Sequence, residues 1–294
     1  MSTAETPAAA LPPPRREART ARRERLRFLS RSGTFAAGVV IVGIWIFCAI
    51  FGYMVAPHDP FADDILGKLA APSGDHWLGT DKLGRDVFSR VMTGARDILV
   101  VAPLATLLGT VLGTAIGLVT GYFRGVVDEV IMRFVDAFLA IPVVIIGLLS
   151  LVALGPSKVT IVCVIGIVFA PIIARTVRAA VLSERELDYV QAARLRNERA
   201  PYIMFGEILP NISAPILVEF TVRLGYAIFA IATLSFLGFG IQPPAPDWGL
   251  QIFEHYGLIS GGYWWPTLFP ALAIASLVVG INLVADGLNQ AFER

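Results

Sequence analysis

The sequence predicts an all-α integral membrane protein with six transmembrane helices. Hydrophobic residues make up 55% of its 294 residues and charged residues only 16%, and the mean hydropathy is +0.68. An ordinary soluble domain carries about 25% charged residues. Six apolar runs approach the length of about 20 residues that a helix needs to cross a bilayer. A closed β-barrel would instead show short segments of alternating polarity, so helices are the expected spanning elements.

The six apolar runs follow one another along the whole chain. They cover residues 34–56, 98–121, 130–154, about 159–176, about 216–240 and about 267–285. The third run carries Arg133 and Asp136 near its start, and the fifth carries Glu219 and Arg223. Residues three or four apart share one face of a helix. We therefore expect a local ion pair between Arg133 and Asp136 and another between Glu219 and Arg223.

Arginine is concentrated on one side of the predicted spans, and this side is expected to be cytoplasmic. Eight arginines lie in the first 33 residues and six lie between residues 175 and 199. The three lysines, Lys68, Lys82 and Lys158, fall on the other side. Both termini are therefore expected in the cytoplasm.

The same pattern divides the chain into three parts. Residues 1–32, rich in Ala, Pro and Arg, are predicted to form a disordered basic cytoplasmic tail. Residues 33–97 hold the first helix and a long extracytoplasmic loop, and residues 98–294 hold five helices with a cytoplasmic loop at 177–213. The first apolar run is too long for the core of a cleaved signal peptide, so an uncleaved anchor is expected.

Small residues recur at every fourth position in the second run. They are Ala105, Gly109, Gly113, Gly117 and Gly121. Residues four apart lie on the same helix face, and a strip of small residues allows another helix backbone to approach closely. We therefore expect a helix-packing seam along this face.

The cytoplasmic loop between the fourth and fifth runs carries helix signals. Ser183 followed by Glu186 fits a capping box, which predicts a helix start. The alanines at 192–193 give that helix a small-residue face, and Asn197 tolerates the left-handed conformation of a sharp turn. Pro210 is expected to end the next segment. A helix, a turn and a second helix between two spans are suited to docking a partner and passing on its motion.

This loop resembles the coupling motif of binding-protein-dependent ABC transporter permeases. That motif reads Glu-Ala-Ala, three residues, Gly, nine residues, then Ile-x-Leu-Pro. The matching residues are Ala192, Ala193, Leu209 and Pro210, while Gln191 replaces the Glu, Asn197 replaces the Gly, and the Ile is displaced by one to Ile208.

Four further segments narrow the resemblance to permeases for dipeptides, oligopeptides and nickel. They are residues 76–90, 121–142, 234–249 and 286–288. The likeness runs from about residue 30 to the end of the sequence, and it is nearest to the second, C-type subunit of dipeptide permeases. It implies the type I ABC importer permease fold, as a multi-pass protein of the bacterial inner membrane.

The resemblance also implies a division of labour among several chains. Two homologous permeases form the pore in the lipid bilayer, two ATPase subunits bind ATP and Mg²⁺ beneath them, and a binding protein delivers substrate from outside. This chain would then be half of a pore for dipeptides or small oligopeptides, with no catalytic, cofactor or metal site. The sequence has no G-x-x-x-x-G-K-[ST] loop, and its net charge of +1 gives no sign of a nucleic-acid partner.

Two sets of site residues follow from the resemblance. Those expected to dock the ATPases are Tyr189, Gln191, Ala192, Ala193, Arg194 and Asn197. The outer loop after the fifth run is rich in Pro, Gly and Trp, and its tryptophans fit the membrane interface. The other expectation for this loop is an outer gate or a binding-protein contact formed by Gln242, Pro243, Pro244 and Trp248.

The histidines and cysteines indicate no site of their own. His58, His76 and His255 follow no ligand spacing, so no metal site is expected. Cys48 and Cys163 each lie in an apolar run, where they act as small apolar side chains.

Alternative functions stay open on the sequence alone. The same machinery could carry haem or a nickel complex, because the binding protein usually sets selectivity. Ile231 stands where permeases of this kind often carry an acid, which leaves the pore more apolar here. An ion-coupled secondary transporter would need buried acids at mid-membrane, and a membrane enzyme would need grouped catalytic side chains. The sequence shows neither pattern.

Overall fold

The computed structural model describes residues 32–292, with side chains to residue 291. Within this part of the chain, nine helices of eight or more residues follow one another: α1 (Gly33–Val55), α2 (Val87–Phe123), α3 (Gly125–Leu139), α4 (Val143–Leu154), α5 (Lys158–Glu184), α6 (Asp188–Leu195), α7 (Ser213–Phe236), α8 (Trp248–His255) and α9 (Trp265–Phe292). The tail predicted for residues 1–32 lies outside the described residues, apart from Ser32.

Five of these helices are long and apolar enough to cross a membrane, namely α1, α2, α5, α7 and α9. Helices α3 and α4 make a sixth candidate span, bent by 84° at their junction. The all-α prediction is confirmed, but the third run is not one straight helix. Pro142 has a ψ of 130° and so leaves the helical conformation. Proline also lacks an N–H and disfavours a helical residue before it, which explains why α3 ends at Leu139.

Helix α2 begins at Val87, well before the predicted start of its span at residue 98. The Asp86 side chain accepts a hydrogen bond from the Ser89 backbone N–H, which satisfies one of the unpaired amides of the first turn. The helix is 37 residues long, more than a bilayer requires. Its first turns, including the buried Arg90, therefore belong to the polar structure at one end of the molecule.

The small residues of α2 face α5 along its length. A Cβ atom on Gly109 would lie 2.9 Å from the Gly166 carbonyl oxygen, and one on Gly113 would lie 2.7 Å from Ile173 Cβ. Added Cβ atoms on Gly117 and Gly121 would likewise clash with Val177 and Val181. In the other direction, a Cβ on Gly166 would lie 2.9 Å from the Ala105 carbonyl oxygen. The two backbones are thus in close contact, as in the small-residue seams of membrane helices.

Helix α1 packs against α9 in a similar way. A Cβ on Gly38 would lie 2.7 Å from the Gly280 carbonyl oxygen. Trp45 on α1 donates a hydrogen bond from Nε1 to Ser276 Oγ on α9, at 3.0 Å. The first and last described helices are therefore neighbours, with a polar contact between two otherwise apolar faces.

Segments 56–86 and 237–264 lie together at one end of the helices, called the upper end below. Trp265 Nε1 donates to the Thr80 carbonyl at 3.0 Å. Arg85 pairs with Asp81 at 2.7 Å and with Glu254 at 3.4 Å. Segment 185–212 lies at the opposite end of α5, called the lower end.

Candidate coupling loop and outer cleft

Segment 185–212 at the lower end contains α6 followed by short helical turns, Ala200–Tyr202, the π-helical Ile203–Ile208 and Leu209–Asn211. We call this segment the coupling loop. Pro210 lies inside the last of these turns and does not end the preceding helical path, because the first residues of a helical turn need no N–H donor. The next long helix begins only at Ser213.

The capping box predicted at Ser183 is wrong. Helix α5 continues through this residue to Glu184, and the Ser183 hydroxyl donates back to the Ala179 carbonyl at 3.4 Å. This intrahelical bond competes with capping. Helix α6 starts later, at Asp188, and its preceding residue Leu187 gives no side-chain cap.

Helix α6 has one buried and one exposed face. Val190 and Ala193 are fully buried and belong to the same apolar core as Ile203 and Ile208. The expectation that Ala193 sits on a docking surface is therefore corrected, since three-residue spacing places it beside Val190 on the inner face. Ala192 is exposed on the other side, and it remains a candidate contact.

Asn197 adopts the left-handed conformation that the sequence predicts there, with φ of 55°. Its backbone N–H donates to the Arg194 carbonyl at 2.9 Å, and that of Glu198 donates to the Ala193 carbonyl at 3.2 Å. These bonds satisfy carbonyls at the end of α6. Asparagine thus closes the helix in place of the glycine of the family motif.

The coupling loop is also attached to the lower end of α2. Arg185 Nη1 donates to the carbonyls of Gly121 at 3.1 Å and Tyr122 at 2.6 Å. The Arg194 guanidinium lies 5.2 Å from the centre of the Tyr122 ring. Burial, with the nearby positive charges of Arg124 and Arg194, lowers the pKa of Arg185. The attachment to α2 is a contact that the loop sequence alone does not indicate.

Tyr189 connects the end of α5 with the last turn of the coupling loop. Its hydroxyl donates to Glu184 Oε1 at 2.6 Å, at the end of α5, and accepts from Asn211 Nδ2 at 3.1 Å, just before α7. Burial and the hydrogen bond to Glu184 raise the pKa of Tyr189. Gln191 Nε2 donates to the Arg185 carbonyl at 3.3 Å. The loop is therefore bonded to the ends of α2 and α5, and the bond between Tyr189 and Asn211 joins its first helix to its last turn.

Large apolar side chains are exposed on the coupling loop. Leu195 is 85% exposed. We call the whole set the lower apolar patch, and it consists of Leu187, Leu195, Tyr202 and Phe205. An exposed apolar patch in a polar rim is typical of a protein interface. None of these four residues is among the predicted docking residues, although apolar side chains in so charged a loop are a signal that the sequence does carry.

A cleft of about 670 Å³ opens at the upper end. Its lining includes Tyr53, Phe61, Arg96, Asp97, Lys158, Gln242 and Pro244. Lys158 forms an ion pair with Asp97, so the cleft carries both signs of charge. Gln242, Pro243 and Pro244 are all exposed beside it.

Trp248 does not share this exposed position. It is fully buried and donates from Nε1 to the Val91 carbonyl at 2.8 Å. The expectation that its side chain lies at the interface or contacts a binding protein is therefore corrected. It anchors α8 on α2, and a buried indole N–H needs such a partner.

The charged pair predicted in the third span is also wrong. Arg133 pairs with Glu129, at 2.7 Å, and not with Asp136. Asp136 instead forms an ion pair with Arg175 of α5. The residue four positions earlier on α3 was the better partner for Arg133, and the partner of Asp136 lies on another helix.

In α7, the predicted pair is confirmed, with Arg223 Nε donating to Glu219 Oε1 at 2.6 Å. Ile231 is fully buried in the helix core. It therefore does not line an open surface of this chain, contrary to the expectation that it makes the pore more apolar.

The three histidines do not share one environment. His255 is buried in α8, where its Nδ1 lies 2.6 Å from the Gln251 carbonyl. His58 and His76, in contrast, converge on Asp86 at the upper end. Nothing in their sequence spacing predicts this convergence.

A family profile described as "Binding-protein-dependent transport system inner membrane component" matches residues 113–294. The chain belongs to this family. It is thus a multi-pass membrane component of a transport system, and the predicted resemblance is confirmed.

Individual relatives of this family cover most of the chain. The dipeptide transport system permease protein DppC of Escherichia coli strain K12 is 41% identical over 272 residues, 90% of both chains. DppC of Alkalihalophilus pseudofirmus is 36% identical over 271 residues, 92% of this chain and 89% of the relative. A solved chain of the MetNI methionine ABC transporter, in inward-facing conformations, has a TM-score of 0.57 and 19% identity. It covers 70% of this chain and 97% of that one, and it shows a shared fold.

Proposed function

We propose that this chain is the permease subunit that forms half of the pore of an ATP-driven importer of dipeptides or small oligopeptides. The observation that carries the proposal is its similarity, across about nine-tenths of its length, to permeases named for dipeptide transport. In this proposal the chain lies in the bacterial inner membrane. Its lower end faces the cytoplasm, on the side where arginine is concentrated.

The coupling loop is proposed to receive the motion of the ATPases. A second homologous permease, two ATPase subunits that carry ATP and Mg²⁺, and an extracytoplasmic binding protein complete the machine. The lower apolar patch supports docking, because an exposed leucine such as Leu195 gains free energy when a partner covers it. Ala192 and Arg194 on α6, and Asn197 just after it, lie in the same segment as this patch, while the bonds of Tyr189 and Gln191 hold the loop in shape.

The attachments of the loop indicate which helices would move. Through Arg185 it holds the end of α2, and through Tyr189 it holds the end of α5 and its own last turn, which leads directly into α7. A displacement of α6 would therefore reach three spans together, in the manner of a rigid-body switch. Alternating access would follow from the movement of these three helices against the other permease.

The upper cleft is proposed as the entry for substrate. A peptide carries one free amine and one free carboxylate, and the cleft presents Asp97 together with Arg96 and Lys158. Opposite charges in one cleft favour a zwitterion over a singly charged ion. The exposed residues at 242–244 stand at its rim, where a binding protein would release its load.

Uptake by the assembled transporter in proteoliposomes tests the proposal. Labelled dipeptide, presented with the binding protein, should enter only with ATP on the ATPase side. Collapse of the proton and sodium gradients should leave the rate unchanged. Excess unlabelled dipeptide should compete, whereas haem and a nickel complex should not. Uptake that follows the ion gradient without ATP would contradict the proposal, and competition by haem or nickel alone would reassign the cargo.

A further inference from the structure

Two imidazoles and one carboxylate converge at the upper end, outside the coupling loop and the upper cleft. His76 Nδ1 lies 2.9 Å from Asp86 Oδ1, and His58 Nδ1 lies 3.8 Å from the same oxygen. One ligand atom from each of the three residues lies within 4.8 Å of the others. We propose that His58, His76 and Asp86 bind one divalent transition-metal ion, with Zn²⁺ as the best fit.

Asp86 is held in place as a ligand by groups around it. Its Oδ2 accepts hydrogen bonds from the Ser89 backbone N–H at 2.8 Å and the Ser89 hydroxyl at 2.7 Å. The carboxylate is 1% exposed, and its other oxygen, Oδ1, faces the two histidines. Hydrogen bonds of this kind orient the direct ligands in metal sites.

The distances suit a small tetrahedral ion. Bonds of about 2.0–2.1 Å from zinc to nitrogen or oxygen place neighbouring ligand atoms about 3.4 Å apart. The observed separations from Asp86 Oδ1, 2.9 and 3.8 Å, lie on either side of that value. The His58 and His76 side chains are 42% and 24% exposed, so small rotations are possible and solvent can supply the fourth ligand.

The donor set also selects among metals. Two imidazole nitrogens and one carboxylate favour zinc, nickel or copper, whereas magnesium and calcium prefer oxygen ligands alone. A bound ion would tie three pieces of chain together, namely the segment after α1, the segment 73–79 and the start of α2. A bound ion would thus stabilise the upper end, and its three ligands are not among the residues that line the cleft proposed for the peptide.

Zinc binding by the complete assembled transporter in nanodiscs tests the proposal. The preparation carries an affinity tag without histidine and is stripped with EDTA before titration with Zn²⁺ against a chromogenic chelator. His58→Ala and His76→Ala should each lose at least roughly 100-fold in affinity at one site per chain, since loss of an orienting residue alone costs about 10–100-fold. Ni²⁺ should compete at this site, and excess Mg²⁺ should not.

Asp75→Asn is the matched control, because Asp75 is an exposed acid next to His76 that does not belong to the cluster. It should leave the affinity unchanged. Equal zinc affinity and stoichiometry in the wild type and both histidine variants would overturn the proposal. So would an equal loss in Asp75→Asn. X-ray absorption at the zinc edge of the wild type gives an independent result that needs no variant to fold. Two imidazole ligands are expected, and a spectrum without imidazole scattering would overturn the assignment.

Discussion

A single added methyl group at Gly113 should push α2 away from α5 and destabilise their contact. Its Cβ would lie 2.7 Å from the Ala170 carbonyl oxygen and 2.7 Å from Ile173 Cβ. Non-bonded carbon contacts normally lie at about 3.5–4.0 Å, so the helices must move apart by several tenths of an ångström or more. Overpacking of this kind costs about 1–3 kcal/mol. Gly113→Ala should therefore lower the thermal midpoint of the purified transporter by several degrees relative to a variant that gains the same helix propensity without overpacking.

Gly43→Ala is the matched control for this change. Gly43 lies in the middle of α1, and a Cβ there would meet nothing within 4 Å. Both variants gain the same helix propensity, about 1 kcal/mol over glycine, so the difference between them reports the overpacking alone. Fluorescence-detected size-exclusion chromatography after a heating series measures both midpoints. Equal midpoints for the two variants would refute the close packing of α2 on α5.

Two further predictions concern the upper end. Trp248→Phe should destabilise the protein by about 1–3 kcal/mol, because the buried Val91 carbonyl loses its only donor from α8; an unchanged thermal midpoint would contradict this. Burial raises the pKa of Asp247 to about 6, from 3.8. The folded state therefore binds this proton more tightly than the unfolded state, and stability should fall as pH rises from about 4 to 6, by about 3 kcal/mol in all. Asp247→Asn, which keeps a helix cap, should remove that fall; thermal midpoints from pH 4 to 7 that change equally in both proteins would argue against it.

The sequence predicts best those features that repeat along one helix. The small residues from Ala105 to Gly121 lie on one face because their spacing matches the helical period. The apolar runs likewise mark five spans that are each one continuous helix. The proline itself indicates a helix break at Pro142. The residues on both sides are apolar, however, and hydropathy alone cannot distinguish one straight span from two bent halves.

Contacts between distant parts of the chain are what the sequence does not show. Arg185 bonds to carbonyls of Gly121 and Tyr122, more than 60 positions away, and backbone carbonyls carry no residue-type signal. Asp136 on α3 forms an ion pair with Arg175 on α5, whereas the sequence spacing suggested Arg133 as its partner. The convergence of His58 and His76 depends on how segment 56–86 folds, and no motif encodes it.

The coupling loop also shows that a motif match does not reveal which of its residues are exposed. Ala192 and Ala193 are adjacent in the motif, yet one is exposed and the other is fully buried. Adjacent residues on a helix point about 100° apart, and of this pair only Ala192 is on the exposed side. The most exposed apolar side chain of α6, Leu195, stands at one of the three positions that the motif leaves unspecified.

Replacement of one exposed leucine tests most directly whether separate ATPases drive this chain through its coupling loop. Leu195 and Leu66 are 85% and 98% exposed, at the lower and upper ends. Leu195→Asp should abolish co-purification of the ATPases or ATP-dependent uptake, while the chain stays in the membrane. Leu66→Asp should preserve both. Full uptake and ATPase binding by Leu195→Asp, or an equal loss in Leu66→Asp, would contradict the account.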